Sequence, residues 1–425
     1  MWYDKIVFVA KNKELRNKFL FILFLFVVFR IAANIPVPGI GSANLHRFFA
    51  QNQSFGLLNL FTGGALSNFS IVMLGLGPYI TATIILQLLT MIFPALEKMY
   101  KEEGDSGRAK FNQYARLATI PLAAFEGYGL LVVFMKQGVI TGLSLSQIIV
   151  SVIAITAGAM MLMWFGELIT EQGVGNGISL LIFAGIVARL PINIYQTFSA
   201  WDPSQIPAYI GFIVASLVII AGVIYITEAR RNIPVSYAKR MRGAKMYGGV
   251  STYLPLSINP AGVIPIIFAL SILLFPTTIA GYFATYAGLV GTIATNINTW
   301  LNNTWIHGVL YFLLVVLFTY FYTAVTFDPK TISENLQKMG GFIPGVRPGK
   351  STSDYLNHIL NRVLFTGAIF LGLIAILPTV VAGLTGITGF TFLVGGTSLL
   401  IIVSVILDTQ RQINAQLETR SYDNF

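Results

Sequence analysis

The sequence predicts an all-α polytopic membrane protein with ten transmembrane helices, and three observations carry that expectation. Hydrophobic residues make up 55% of the 425-residue chain and charged residues only 10%, with mean hydropathy +0.73; soluble domains carry about 25% charged residues. Ten apolar runs approach the ~20 residues needed to cross a hydrocarbon core of ~30 Å. The basic residues gather on alternate connections between those runs.

The N-terminal stretch MWYDKIVFVAKNKELRNK places five basic residues before the first run, Phe19–Ile35. No small-residue cleavage site follows it, and the proline-rich IAANIPVPGI continues into more protein, so a retained span is expected rather than a signal peptide. Leu60–Pro94 is the wrong length for one span, because its 35 residues would reach about 52 Å as a helix. Its first third carries Thr62, Gly63, Gly64, Ser67, Asn68 and Ser70. The second span is therefore confined to Ile71–Phe93, with a glycine-broken, half-polar segment standing directly before it.

The third and fourth spans are expected at Leu117–Met135 and Ile148–Ile169. The fifth, Ile178–Asn193, is short and broken by glycine and Pro191, which places it partly inside protein rather than in lipid. Tyr209–Thr227, Asn259–Thr277, Val309–Phe327, Val363–Val381 and Phe392–Asp408 complete the set. Tyr282–Trp300 is moderately apolar but dotted with Gly, Thr and Asn, and is placed outside the membrane.

With the N-terminus inside, 23 of the 27 Lys and Arg fall on the inner side. Only Arg30, Arg47, Lys136 and Arg189 lie in or beyond the outer half, so both termini are expected in the cytoplasm. Ten spans divide into an N-terminal half, 1–200, and a C-terminal half, 201–425, joined near Trp201–Pro207. If the halves are structural repeats, the odd number of spans in each forces them into opposite orientations, as in transport proteins built around such an interface.

The chain has no cysteine, which excludes disulfides, iron–sulfur clusters and thiol chemistry. His46, His307 and His358 lie outside the spans and make no metal-ligand spacing. No metal site or cofactor is expected. Glu126 inside span three and Arg30 near the outer end of span one each cost roughly 2.5–3.5 kcal/mol if central, so each needs a partner or water. GDSG, Gly104–Gly107, matches the Gly-x-Ser-Gly of intramembrane serine proteases, but it falls in the charged loop EKMYKEEGDSGRAK with no histidine close in sequence. A nucleophile needs a base and a sheltered oxyanion site, so Ser106 is not expected to be catalytic. A secondary transporter with inverted repeats is the other reading of the two halves, though such a protein would show more mid-membrane carboxylates or histidines.

Two cytoplasmic loops stand out, at about 228–258 and 328–361. The first carries six basic side chains, among them Arg240, Arg242 and Lys245, against one acid, Glu228. Its IPVSYAKR and VSTYLPLSI alternate like strands and suggest a protruding hairpin. The second sets Arg347 between two Pro/Gly turns. Together they suggest a basic docking surface for something acidic, such as ribosomal RNA or a large cytosolic protein.

Stretches from the first span to the last carry a family resemblance: IPVPGI (Ile35–Ile40), GGALS (Gly63–Ser67), PYITATIILQLL (Pro78–Leu89), EEGDSGRAKFNQYAR (Glu102–Arg116), FGELITEQGVGNGIS (Phe165–Ser179), NPAGVIPIIFA (Asn259–Ala269), FIPGVRPG (Phe342–Gly349) and GGTSLLI (Gly395–Ile401). On these the chain closely resembles the bacterial SecY family, channel subunits of the Sec protein translocon. The resemblance implies an hourglass channel of two inverted five-helix halves in the plasma membrane, exporting unfolded polypeptides and releasing membrane segments sideways into the lipid bilayer. It implies that the segment before span two, about 57–70 and including Phe61, Thr62, Gly63, Gly64, Ala65, Leu66, Ser67 and Asn68, is a re-entrant plug helix in a watery outer funnel. At the waist it implies an aliphatic ring of Ile80, Ile84, Ile182, Ile186, Ile267 and Ile401, which a bare reading would assign to core or lipid contact. A lateral gate is implied between spans two and three and spans seven and eight, with Phe275 at the matching gate position. Where the family often has Met before PYI, this chain has Gly77, leaving the funnel wall less bulky. Implied partners are a small SecE subunit clamping the halves, usually SecG, the SecA motor ATPase or a translating ribosome docking on Arg240, Arg242, Lys245 and Arg347, and the signal sequences of exported proteins.

Overall fold

The structure is a computed structural model and describes residues 12–38, 59, 62–136, 138–140, 142–199, 206–237, 240–242, 245–247, 251–284, 288–385 and 396–423. Helix α1 (Lys13–Ala32) starts at Asn12, whose side-chain oxygen accepts from the amides of Glu14 and Leu15; this satisfies donors that the first helical turn leaves unpaired. The chain then passes through turns over 62–76 before α2 (Gly77–Ile92). Pro94 ends α2, because the residue before a proline is driven out of the helical region. Phe93 is extended (φ −105°, ψ 108°), and α3 (Pro94–Lys101) leaves at a bend of 112°. Helices α4 (Gly104–Lys136), α5 (Leu145–Glu171) and α6 (Gly177–Ser199) follow, α5 opened by a reciprocal capping box between Ser144 and Gln147.

Helix α7 (Ile206–Glu228) runs into strands β1 (Arg230–Tyr237), β2 (Arg240–Arg242), β3 (Lys245–Tyr247) and β4 (Ser251–Ser257). Then come α8 (Ile264–Phe283), α9 (Leu289–Asn302), α10 (Thr304–Thr326), α11 (Pro329–Lys338), β5 (Gly341–Phe342), α12 (Lys350–Thr385) and α13 (Gly396–Asp423). The expected hairpin is present: β1 and β4 pair antiparallel from Arg230↔Ser257 to Ser236↔Ser251, and β2 and β3 form a second, shorter antiparallel pair.

Each expected apolar run holds helix. By length and apolar content alone, four stretches among the described residues are able to cross a membrane: Gly104–Lys136, Leu145–Glu171, Trp305–Lys338 and Lys350–Leu377, with the bent pair α2–α3 as a fifth. Three expectations are corrected. The fifth run is not broken: α6 continues through Pro191 to Ser199, and the glycines inside it serve close approach rather than interruption. GDSG is not a loop but the first turn of α4. The buried Gly107 is required there because a Cβ would run into the Met99 carbonyl of α3. Residues 62–69 form a succession of turns rather than a regular helix, since Gly63 and Gly64 adopt φ of +63° and +88°, outside the range of a right-handed helix. Phe61, His46 and the joint at 201–205 lie outside the described residues.

Candidate functional site

The largest hydrophobic cluster joins α1, α2, α5, α6, α7, α8, α10, α12 and α13. All six isoleucines of the expected ring lie in it, with exposures between 0% (Ile401) and 8% (Ile267). Ile80 and Ile84 on α2, like Ile182 and Ile186 on α6, are four residues apart and so share a helix face. Four helices far apart in sequence thus bring these six side chains into one dry cluster. Among the six side chains there is no polar group, so the contact between them is purely apolar.

The segment 62–70 is packed rather than bathed. Thr62, Ala65, Leu66, Ser67 and Ser70 are all nearly inaccessible. Two of the four cations expected in the outer half explain how its polar backbone is tolerated. Arg30 Nη1 donates to the Gly63 carbonyl at 2.6 Å, and Arg189 donates to Ser67 Oγ. Asn68 Nδ2 donates to Asn34 Oδ1 at 3.1 Å. The partner that Arg30 needs is therefore a backbone carbonyl, not a carboxylate. Glu126 faces the start of α2: its Oε2 lies 3.9 Å from where a Cβ on Gly77 would stand, so the space left by that glycine is shared with a carboxyl group. Neither arginine was expected at the segment. The available signal was their position among the few cations that the sequence places on the expected outer side, together with the Gly-Gly pair.

Helix α8 packs against both α2 and α4, and also against α10. Phe268 of α8 makes edge-on contacts with Phe318 and Tyr322 of α10, with centroids 6.0 Å apart in both pairs. Near the other end of α8, a Cβ on Gly281 would sit 3.5 Å from Val133 of α4, so the two helices run close. Phe275 lies in α8 beside Pro276; its side chain lies outside what the structure describes. The seam expected to open sideways is closed here by apolar contact.

The two long basic loops pair with each other. Strand β5, from the second loop, pairs antiparallel with β1 of the first, giving the sheet order β4-β1-β5. Beneath it Ile233, Val235, Leu256, Leu336, Ile343 and Leu356 form a separate buried cluster. The Ser333 hydroxyl donates to the Gly349 carbonyl at 2.7 Å and ties α11 to the following turn. Arg240 and Arg242 stand on β2 and Lys245 on β3, with Arg242 opposite Lys245 in register. Arg347 is exposed between turns that use Gly345 and Gly349 at φ of +82° and +94°. Ser106 is exposed at the start of α4.

A profile of the SecY family matches residues 70–410. The protein translocase subunit SecY of Streptomyces coelicolor is 43% identical over 433 residues, covering 98% of both chains. That of Corynebacterium glutamicum is 42% identical over 446 residues with the same coverage, and that of Mycobacterium tuberculosis 41% over 436. Among solved structures, one described as the structure of a protein conducting channel superposes with a TM-score of 0.63 at 18% identity, covering 93% of this chain and 91% of that one. A second, of a SecY protein whose plug domain stabilises the closed state, superposes at 0.64 with 20% identity and the same coverage.

Proposed function

We propose how this chain works from one premise: it belongs to the SecY family and is the channel subunit of a protein translocase. The proposed channel has ten spans in two inverted halves, 1–200 and 201–425, in a plasma membrane with both termini in the cytoplasm. A polypeptide crosses in an unfolded state between the halves. Ile80, Ile84, Ile182, Ile186, Ile267 and Ile401 form the collar through which it passes. The segment about 57–70 is the plug on the outer side, and the seam of α2 and α4 against α8 and α10 is the lateral gate, with Phe275 on it.

The observation that carries this reading is the convergence of the six isoleucines from α2, α6, α8 and α13 in one buried cluster. A gate for a chain of arbitrary sequence cannot rely on specific hydrogen bonds. An apolar ring deforms around any backbone and excludes ions when it closes. The platform built on β1, β4, β5 and α11, together with the separate β2–β3 pair, is the docking surface, and Arg240, Arg242, Lys245 and Arg347 supply its positive charge to an acidic partner. A SecA-type motor or a ribosome, through its RNA, fills that place; a solved relative is Sec61 in a canine ribosome–channel complex. A SecE-like helix would lie along the apolar groove lined by Phe19, Leu23 and Phe26 of α1, Phe183 of α6 and Ile406 of α13, which spans both proposed halves. SecG completes the complex, and signal sequences enter through the gate.

The native chain has no cysteine, which makes the test direct. A single cysteine replacing Ile84 or Ile267 is expected to form a disulfide with a cysteine in a precursor stalled during export. One replacing the exposed Leu23 is expected to form none. Crosslinking at Leu23 but not at the collar positions would place the path elsewhere and overturn the assignment.

A further inference from the structure

Arg30 of α1 and Arg189 of α6 converge on two adjacent glycines. Arg30 Nη1 donates to the Gly63 carbonyl at 2.6 Å, Arg189 donates to Ser67 Oγ, and that hydroxyl donates onward to the Gly64 carbonyl at 2.9 Å. The fit depends on glycine at both positions. A Cβ on Gly64 would stand 2.6 Å from Arg189 Cζ, and one on Gly63 would stand 2.8 Å from Gly185 Cα and 3.3 Å from Arg30 Nη1. None of the ion pairs among the described residues includes either arginine. Two like charges therefore end on neutral acceptors of one short turn.

That chemistry makes a grip that releases. A carboxylate acceptor would form a strong charge-assisted pair, whereas a carbonyl and a hydroxyl are acceptors that any passing polypeptide backbone can replace. Mutual repulsion of the guanidinium groups works against the closed arrangement while the hydrogen bonds work for it. Beyond the turn the chain is held by other means. The Val37 amide donates to the Phe69 carbonyl at 2.8 Å, and the Ile71 amide to the Ile35 carbonyl at 3.0 Å. The Phe69 ring meets Phe134 edge-on at 5.4 Å. The Ile71 backbone lies where a Cβ on Gly158 of α5 would be. Between the two regimes Phe69 has φ +48°, the one non-glycine residue with positive φ among those described.

We propose that Arg30 and Arg189 are positioning residues forming a two-pronged latch on residues 62–68, with the chain from Phe69 onward as its fixed end. Backbone carbonyls of an incoming polypeptide release the latch by taking over the guanidinium donors. This rests on reading the segment as the plug.

The test uses the assembled complex in planar bilayers. Arg30→Gln, Arg189→Gln and Ser67→Ala are each expected to raise resting open probability about three- to tenfold, the factor implied by losing one hydrogen bond of modest net strength. The double variant Arg189→Gln/Ser67→Ala is expected to leak no more than the larger single, because both remove the same bond. In an Ala65→Cys chain, labelling by an impermeant thiol reagent from the outer side is expected to accelerate when either arginine is replaced. Unchanged conductance and labelling, or an additive double variant, would overturn the latch. Deleting 62–68 separates the two readings: a leak from that deletion alone leaves the plug standing without the latch, and a silent deletion removes both. If an arginine variant fails to insert, Ser67→Ala carries the test with both cations in place.

Discussion

The six isoleucines of the proposed collar and the turn at 62–68 stand in one molecule but are held by opposite means. The first is apolar contact between helices with no directional bond among its six members, and a seal built this way would depend on how many side chains remain. The turn is held by a few discrete polar bonds from Arg30, Arg189 and Asn68, together with the buried Leu66. The first yields gradually and to any shape; the second yields bond by bond. If both parts close one path, as proposed, such a barrier would resist ions by dewetting and accidental opening by hydrogen bonding, and each part would fail in its own way.

The sharpest way to break the comparison is at the collar. Replacing Ile80, Ile84, Ile182 and Ile267 together by Ser removes the dewetting barrier and is expected to raise resting ion conductance on the order of tenfold or more. Each replacement also costs packing, and large-to-small changes in cores run about 2–5 kcal/mol, so insertion is checked by protease protection before conductance is read. Single changes are expected to be mild because the remaining side chains still meet. A normally inserted fourfold variant with wild-type conductance would show that these residues do not seal the path.

Deletion of residues 62–68 is the next effect in size. It is expected to leave an inserted, folded protein that conducts in brief openings and still exports precursor, with looser discrimination among signal sequences. The cut stops before Phe69 because Phe69, Ser70 and Ile71 are bridged to residues 35–37. Removing them would strip buried backbone of its partners, at a cost that a membrane interior does not forgive. Loss of stable insertion on removing 62–68 alone would make the turn scaffold rather than a movable part.

The platform sharpens the comparison from outside the membrane, where charge acts at a distance. Arg242→Glu and Arg347→Glu are each expected to weaken binding of the motor or ribosome, on the order of three- to tenfold at low salt and less as salt rises. Conductance of the resting channel should stay the same. Arg242 stands on β2 of the separate β2–β3 pair and Arg347 in the exposed turns after β5, so the double variant should retain its fold. Equal affinity and equal salt slope in both single variants would remove these residues from the docking surface.

The smallest effect is at the cap of α11. Asp328 Oδ1 accepts from the Lys330 amide at 3.0 Å and its Oδ2 from the Thr331 hydroxyl at 2.7 Å. Partial burial pushes its pKa up, but these hydrogen bonds, with Lys101 nearby, hold it below the usual carboxylate value. A depressed folded pKa means that the charged cap contributes stability above the ordinary Asp range and loses it as pH falls through the folded value. Asp328→Ala is expected to lower the local stability of α11 by about 1 kcal/mol, read by amide hydrogen exchange. The difference from wild type should shrink toward acid pH. A difference independent of pH would mean that the carboxylate charge plays no part.

Much of this molecule was legible in its sequence because the relevant signals are local. An apolar run, a charge asymmetry, an alternating stretch or a helix cap is written within twenty residues of chain. Helices therefore appear where the runs lie, the hairpin where the alternation lies, and the oddity of 60–70 is visible before any fold is known. The family resemblance added the six isoleucines, which no composition distinguishes from ordinary core. What tertiary structure alone decided is which distant groups meet. The bond from Arg189 to Ser67 spans 122 residues, and that from Arg30 to Gly63 spans 33. Strand β5 has two residues, too short for any period to register, and exists only because β1 offers it an edge. Gly63 and Gly64 read in sequence as breakers, whereas in three dimensions they are the places where two guanidinium groups and the Gly185 backbone come closest. Local propensity acts through the chain, but these contacts act through space, and close packing determines which residues occupy that space.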